Sequence, residues 1–159
     1  MNPVFSDKTK DLAPSAIREI FKSLTDPEMI SFAAGNPSPQ SFPVEKMSLI
    51  SQDIFQNDYV NAFQYSVTEG YTPLRELVKK RLASKFGINY PDDELIITTG
   101  GQQGIDLTAK VLCNEHDVVI TEDPSFIGAL NAFRANNTRL VGVENEKDGI
   151  KVENLEKAI

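Results

Sequence analysis

The stretch Thr98-Thr99-Gly100-Gly101-Gln102-Gln103-Gly104 constrains the fold more than any other, because it joins a strand pattern to a helix pattern. Before it, Leu95-Ile96-Ile97 is a short apolar, β-rich run beside acidic residues, which predicts a buried strand over 95–99. After it, Ile105, Ala109 and Leu112 recur at helical spacing. A glycine turn opening a helix leaves backbone N–H groups and the positive end of the helix dipole facing outward, a seat for a phosphate. Glycine suits that seat because it lets the backbone approach an anion closely. An ordinary structural turn uses the same residues, so both readings stand at this point.

The rest of the chain repeats the alternation. Further strands are predicted over 118–121 and 140–144, separated by a helical stripe that carries Phe126, Leu130 and Phe133. Strand–helix–strand alternation implies an α/β fold with a parallel sheet and right-handed crossovers. Upstream, Ile17, Ile20, Phe21 and Leu24 mark an amphipathic helix after a polar arm. The stretch 35–43 holds three prolines and no periodicity, so it reads as a loop with extended pieces. Met47, Ile50 and Ile54 mark a second helix. A third is bracketed by Thr72 as cap, Pro73 in the first turn and Gly87 past the end, with Leu74, Leu77, Val78 and Leu82 facing inward. The C-terminal residues from Val152 onward show a last helical pattern, with Val152, Leu155 and Ile159 on its apolar side.

Bulk properties exclude several classes. With 159 residues and 40% hydrophobic composition, the chain is long enough to bury the core of one domain. A formal charge of -7, with the charges scattered, argues against a nucleic-acid surface. No run has the apolar length of a membrane span and no signal segment opens the chain, so a cytoplasmic protein is expected. Cys113 is the single cysteine and His116 the single histidine, which leaves no disulfide and no structural zinc site. Cys113 reads as a packed thiol on the helix that follows the glycines, and His116 as a turn residue.

Two phosphate-binding patterns can be set against the glycine turn. No Lys-Ser or Lys-Thr follows it, so the P-loop pattern fails. The spacing is not G-x-G-x-x-G either, yet Glu122-Asp123 ends the next apolar run, where a dinucleotide fold holds a ribose. A dinucleotide-binding module therefore remains an alternative.

Three further segments accompany the turn. They are Ile30-Ser31-Phe32-Ala33-Ala34-Gly35-Asn36-Pro37, then Gln64-Tyr65-Ser66-Val67-Thr68-Glu69-Gly70-Tyr71-Thr72-Pro73-Leu74-Arg75-Glu76, and Thr121-Glu122-Asp123-Pro124-Ser125-Phe126-Ile127-Gly128-Ala129. In this order the four resemble the N-terminal portion of fold-type I pyridoxal-phosphate aminotransferases of class I/II. The likeness is to the branch with 2-aminoadipate and kynurenine aminotransferases and the aminotransferase-like half of MocR-type regulators. It covers the chain from about Leu12 onward.

The resemblance implies an incomplete parallel three-layer αβα unit preceded by an N-terminal arm and helix. Residues 1–45 would be the arm, helix and small-domain segment, and 46–159 the first part of the large domain. It implies pyridoxal 5′-phosphate as cofactor, amino acid and 2-oxo acid as substrates, and a homodimer; charge and the lack of a long apolar run add the expectation of no nucleic-acid and no membrane partner. Gly100, Gly101, Gln102 and Gln103 would hold the cofactor phosphate, and Phe126 stands where the family usually has a ring-stacking Tyr. Tyr65 would reach the neighbouring subunit's cofactor; a buried tyrosine with a satisfied hydroxyl is the other reading. Gly35 would approach the substrate carboxylate, and Ser15 and Arg18 would lie on a helix covering the substrate; for Arg18 a solvated surface position is the alternative. No Ser-x-Ser-Lys run occurs, so the lysine that tethers the cofactor as a Schiff base is expected outside these residues, and the chain alone is expected to be inactive. The aminotransferase-like half of a MocR-type regulator would carry a winged helix upstream, and only a short arm precedes the pattern here.

Overall fold

The structure is a computed structural model that describes residues 4–6 and 37–159. It divides into two compact units, one formed by Ala34–Thr98 and the other by Met1–Ala33 with Thr99–Ile159.

The first unit is helical. A single 3-10 turn, Pro39–Ser41, falls inside the proline-rich stretch and leads to α1 (Val44–Asn57) and the short α2 (Tyr59–Phe63). The rings of Phe55 and Phe63 stack at 5.6 Å between centroids and join these two helices. Helix α3 (Thr72–Phe86) starts one residue earlier than expected: Tyr71 is the N-cap and Thr72 is already helical. Pro73 sits in its first turn, where its missing N–H is not needed, and Gly87 closes it in the left-handed conformation at φ 67°. Arg75 ties α3 to the segment after it, donating from Nε to the Leu95 carbonyl at 2.6 Å and pairing with Glu94 at 3.1 Å.

Two expectations are corrected here. Residues 95–99 form no strand; the Ile97 N–H donates to the Glu69 carbonyl at 2.9 Å, and the Leu95 carbonyl is taken by the Arg75 side chain rather than by a neighbouring strand. A strand needs a neighbour that exchanges ladder bonds along its length, and none of the described residues supplies it. Leu74 and Leu77 do not face a core but stand exposed, whereas Val78 and Leu82 are half-buried. Helical spacing identifies an apolar face without providing its cover.

The second unit is the βαβ alternation. Helix α4 (Gly101–Leu112) leads to β1 (Val118–Asp123), α5 (Ile127–Ala135) and β2 (Arg139–Glu146). Strands β1 and β2 pair in parallel, Val118 opposite Arg139 through Asp123 opposite Glu144. Beyond β2 the chain reverses at Lys147-Asp148 into β3 (Gly149–Ile150), an antiparallel partner, and ends in α6 (Val152–Ala158). The core of this unit is small: Ala109, Ala132 and Val143 are the buried apolar residues among those described. They come from α4, α5 and β2, and alanines on both helices let the backbones approach closely. Cys113 is half-buried as the C-cap of α4, and His116 lies in the turn before β1 at φ 72°.

Candidate functional site

The start of α4 is built as the glycine turn predicts. Gly100 is the N-cap, with φ 79° and ψ 166°, a region of backbone space that essentially only glycine occupies. A Cβ at Gly100 or Gly101 would meet nothing within 4 Å, so the turn keeps an open approach. The first-turn N–H groups of Gly101, Gln102 and Gln103 have no carbonyl four residues back to bind.

Both glutamines are exposed, yet each spends its side chain on a bond to the protein. Gln103 bends back so that its Oε1 accepts the Thr99 N–H at 2.5 Å, one residue further out than in a capping box. Gln102 reaches the next helix, donating from Nε2 to the Gly128 carbonyl at 2.8 Å. Phe126 is the N-cap of α5 and its ring is exposed. The starts of α4 and α5 are thus gathered by one side-chain bond, which brings the glycine turn and the aromatic residue into one site.

Gly128, to which the sequence pattern assigns no role, lies between them. A Cβ there would stand 2.5 Å from Gln102 Oε1 and 2.5 Å from Phe126 Cε1, closer than real side chains come. The available signal was a glycine at the second position of a helix that had no need of one.

A groove between α4 and α5 continues from the turn, lined by Thr99, Gln102, Gln103, Asp106, Asn131 and Ala132. Asp106 bonds Lys110 Nζ at 2.5 Å and accepts from Asn136 Nδ2 at 3.3 Å. The hydrogen bond from Lys110 holds its carboxyl below the usual range, with Asn136 adding to the effect against partial burial.

Tyr65, in the first unit, is 99% exposed, so the buried-tyrosine reading does not describe it. Ser15, Arg18 and Gly35 lie outside the described residues. Glu122, the acidic group of the dinucleotide alternative, is exposed on β1.

The chain matches the sequence profile of "Aminotransferase class I and II" over residues 27–159. It belongs to this family. The cofactor of the family is pyridoxal 5′-phosphate, and the fold is that of the fold-type I aminotransferases. Kynurenine aminotransferase from Pyrococcus horikoshii superposes with a TM-score of 0.87 at 36% identity, over 97% of this chain and 38% of that one. LysN, the α-aminoadipate aminotransferase of Thermus thermophilus, solved with N-(5′-phosphopyridoxyl)-L-leucine, gives a TM-score of 0.81 at 36% identity, over 97% and 37%. In sequence, the 2-aminoadipate transaminase of Thermus thermophilus is 39% identical over 91% of this chain and 35% of its own. HTH-type transcriptional regulators also match, among them YdcR of Escherichia coli at 27% identity over 99% of this chain and 33% of its own. The chain therefore spans roughly a third of the length of these relatives, from 33% to 38%.

Proposed function

We propose that the protein carrying this chain is a pyridoxal-phosphate-dependent aminotransferase that moves an amino group between an amino acid and a 2-oxo acid. The observation that carries this reading is the joining of the Gly100-Gly101 turn to the Phe126 end of α5 through Gln102. The turn fits a phosphate: open space where side chains would stand, free first-turn N–H donors, and the positive end of a twelve-residue helix. The Phe126 ring supplies a face for a pyridine ring, worth about 0.5–1.5 kcal/mol of stacking beyond its burial. It does so without the hydroxyl of the family's usual Tyr, so no hydrogen bond from this position tunes the ring. When bound, the cofactor acts as an electron sink for the substrate.

Other parts of the site follow from the family likeness. Tyr65, standing clear of its own unit, serves the cofactor phosphate of a second subunit in a homodimer. Gly35 receives the substrate carboxylate, while Ser15 and Arg18 belong to a covering helix. Residues 1–45 contribute to the small domain and 46–159 open the large one. The enzyme is cytoplasmic and binds neither membrane nor nucleic acid; among the described residues no helix is long and apolar enough to cross a membrane.

The likeness to YdcR supports a second reading, an aminotransferase-like half that senses a ligand without turning it over. Transamination by the polypeptide at its full encoded length separates the two. With cofactor, 2-aminoadipate or an aromatic amino acid, and a 2-oxo acid, the amino group is expected to move to the oxo acid. Cofactor binding without transfer from any amino acid in a broad panel would replace the enzyme with the sensor.

A further inference from the structure

We infer that Gln102 and Gly128 are positioning residues that fix the phosphate turn against the ring platform, and that the Gln102 side chain itself is not a phosphate ligand. This rests on the cofactor reading above. The Nε2 donor of Gln102 is committed to the Gly128 carbonyl, at a length typical of a good N–H···O bond. The other side of the same amide, Oε1, lies against the Cα of Gly128, as the 2.5 Å separation from an added Cβ indicates. The edge of the Phe126 ring occupies the same side of Gly128, with Cε1 and Cζ at 2.5 and 2.6 Å from where an added Cβ would stand. Glycine at 128 is thus the contact through which the Gln102 amide and the Phe126 ring share one place.

A cofactor held by phosphate at α4 and by its ring at Phe126 needs the spacing between the two held constant. Backbone N–H donors belong to α4 and the ring to α5, which are separated in sequence by β1. The Gln102–Gly128 bond spans that separation directly. Removing the clasp leaves each half of the seat intact and loosens their spacing.

The separation of halves makes the inference testable without turnover. In the polypeptide at full encoded length, cofactor-free, two probes are titrated: 4-deoxypyridoxine 5′-phosphate, which has no aldehyde to react with a lysine, and inorganic phosphate. Gln102→Met keeps the backbone donor and removes the side-chain bond, while Gly128→Ala pushes ring and amide apart. Each variant is expected to weaken the pyridine probe by about two- to twelvefold, the share that aromatic stacking contributes, and to leave inorganic phosphate within about twofold. The NMR signals of the Phe126 ring should shift in both variants. A general loss of structure would lower both affinities together, and Gln102→Met guards against misfolding in the glycine variant. Unchanged binding of the pyridine probe in both variants would overturn the clasp while leaving the cofactor reading in place. Failure of the unsubstituted protein to bind the pyridine probe would overturn that reading itself.

Discussion

At Gly100 and Gly101 two adjacent glycines have different reasons to be there. Gly100 sits at φ 79° and ψ 166°, so an alanine would be strained even though its Cβ touches nothing. Gly100→Ala is expected to destabilise the chain by about 1–3 kcal/mol, read by denaturant unfolding. Gly101 is already helical and open, and Gly101→Ala should be neutral or stabilise by up to about 1 kcal/mol. Arg18 carries the specificity prediction. A guanidinium that meets the distal carboxylate of an acidic substrate contributes about 1.5–3 kcal/mol when sheltered. Arg18→Ala in the full-length enzyme should therefore lower kcat/KM for 2-aminoadipate or glutamate by about one to two powers of ten relative to leucine. An equal loss for both substrate types would remove Arg18 from the specificity argument. The glycine turn was legible in sequence because positive-φ chemistry is local. The turns of Gln102 toward Gly128 and of Gln103 toward Thr99 were not, since a long polar side chain shows its partner only once the chain has folded.

The junction of α4 and α5 gives the pH prediction. Asp106 is held in its charged form by Lys110 and Asn136, so its folded-state pKa lies below the unfolded value. Stability from this group is full above the unfolded pKa and is lost as pH falls through the depressed folded value. Acid titration of unfolding should show that loss, and Asp106→Asn should flatten it by lowering stability at neutral pH while leaving the acid end little changed. A profile identical in the two proteins would mean that the junction does not depend on the charge. Helix α3 was legible because Pro73 and Gly87 are punctuation that acts within one turn. The strand expected over 95–99 was not, because a strand is a property of two segments and only one of them can be read from its own residues. The acidic pair Glu122-Asp123 shows the same limit: its place at the end of β1 followed from pattern, its use did not.

For the whole chain the decisive quantity is how little is covered. The buried apolar residues among those described are Ala109, Ala132 and Val143, while Val111 and Leu112 at the end of α4 are 79% and 74% exposed. Exposed apolar side chains gathered on one face favour association in water. The 159-residue chain by itself is expected to self-associate with rising concentration and to show no transamination above free cofactor, checked by sedimentation and by amino-transfer assay. A monodisperse, inactive monomer would show that the exposed faces do not drive association. The two ladders of the second unit also differ in when they can form. The β2–β3 hairpin joins Asn145 to Ile150 across a tight turn, and such closures take about 1–10 μs. Strand β1 must wait until α5 has carried the chain round to set Arg139 beside Val118. During that interval Val118-Val119-Ile120 is an unpaired apolar run. The parallel ladder therefore has to wait for the helix between its strands, and until then that run is open to the same segment of another chain.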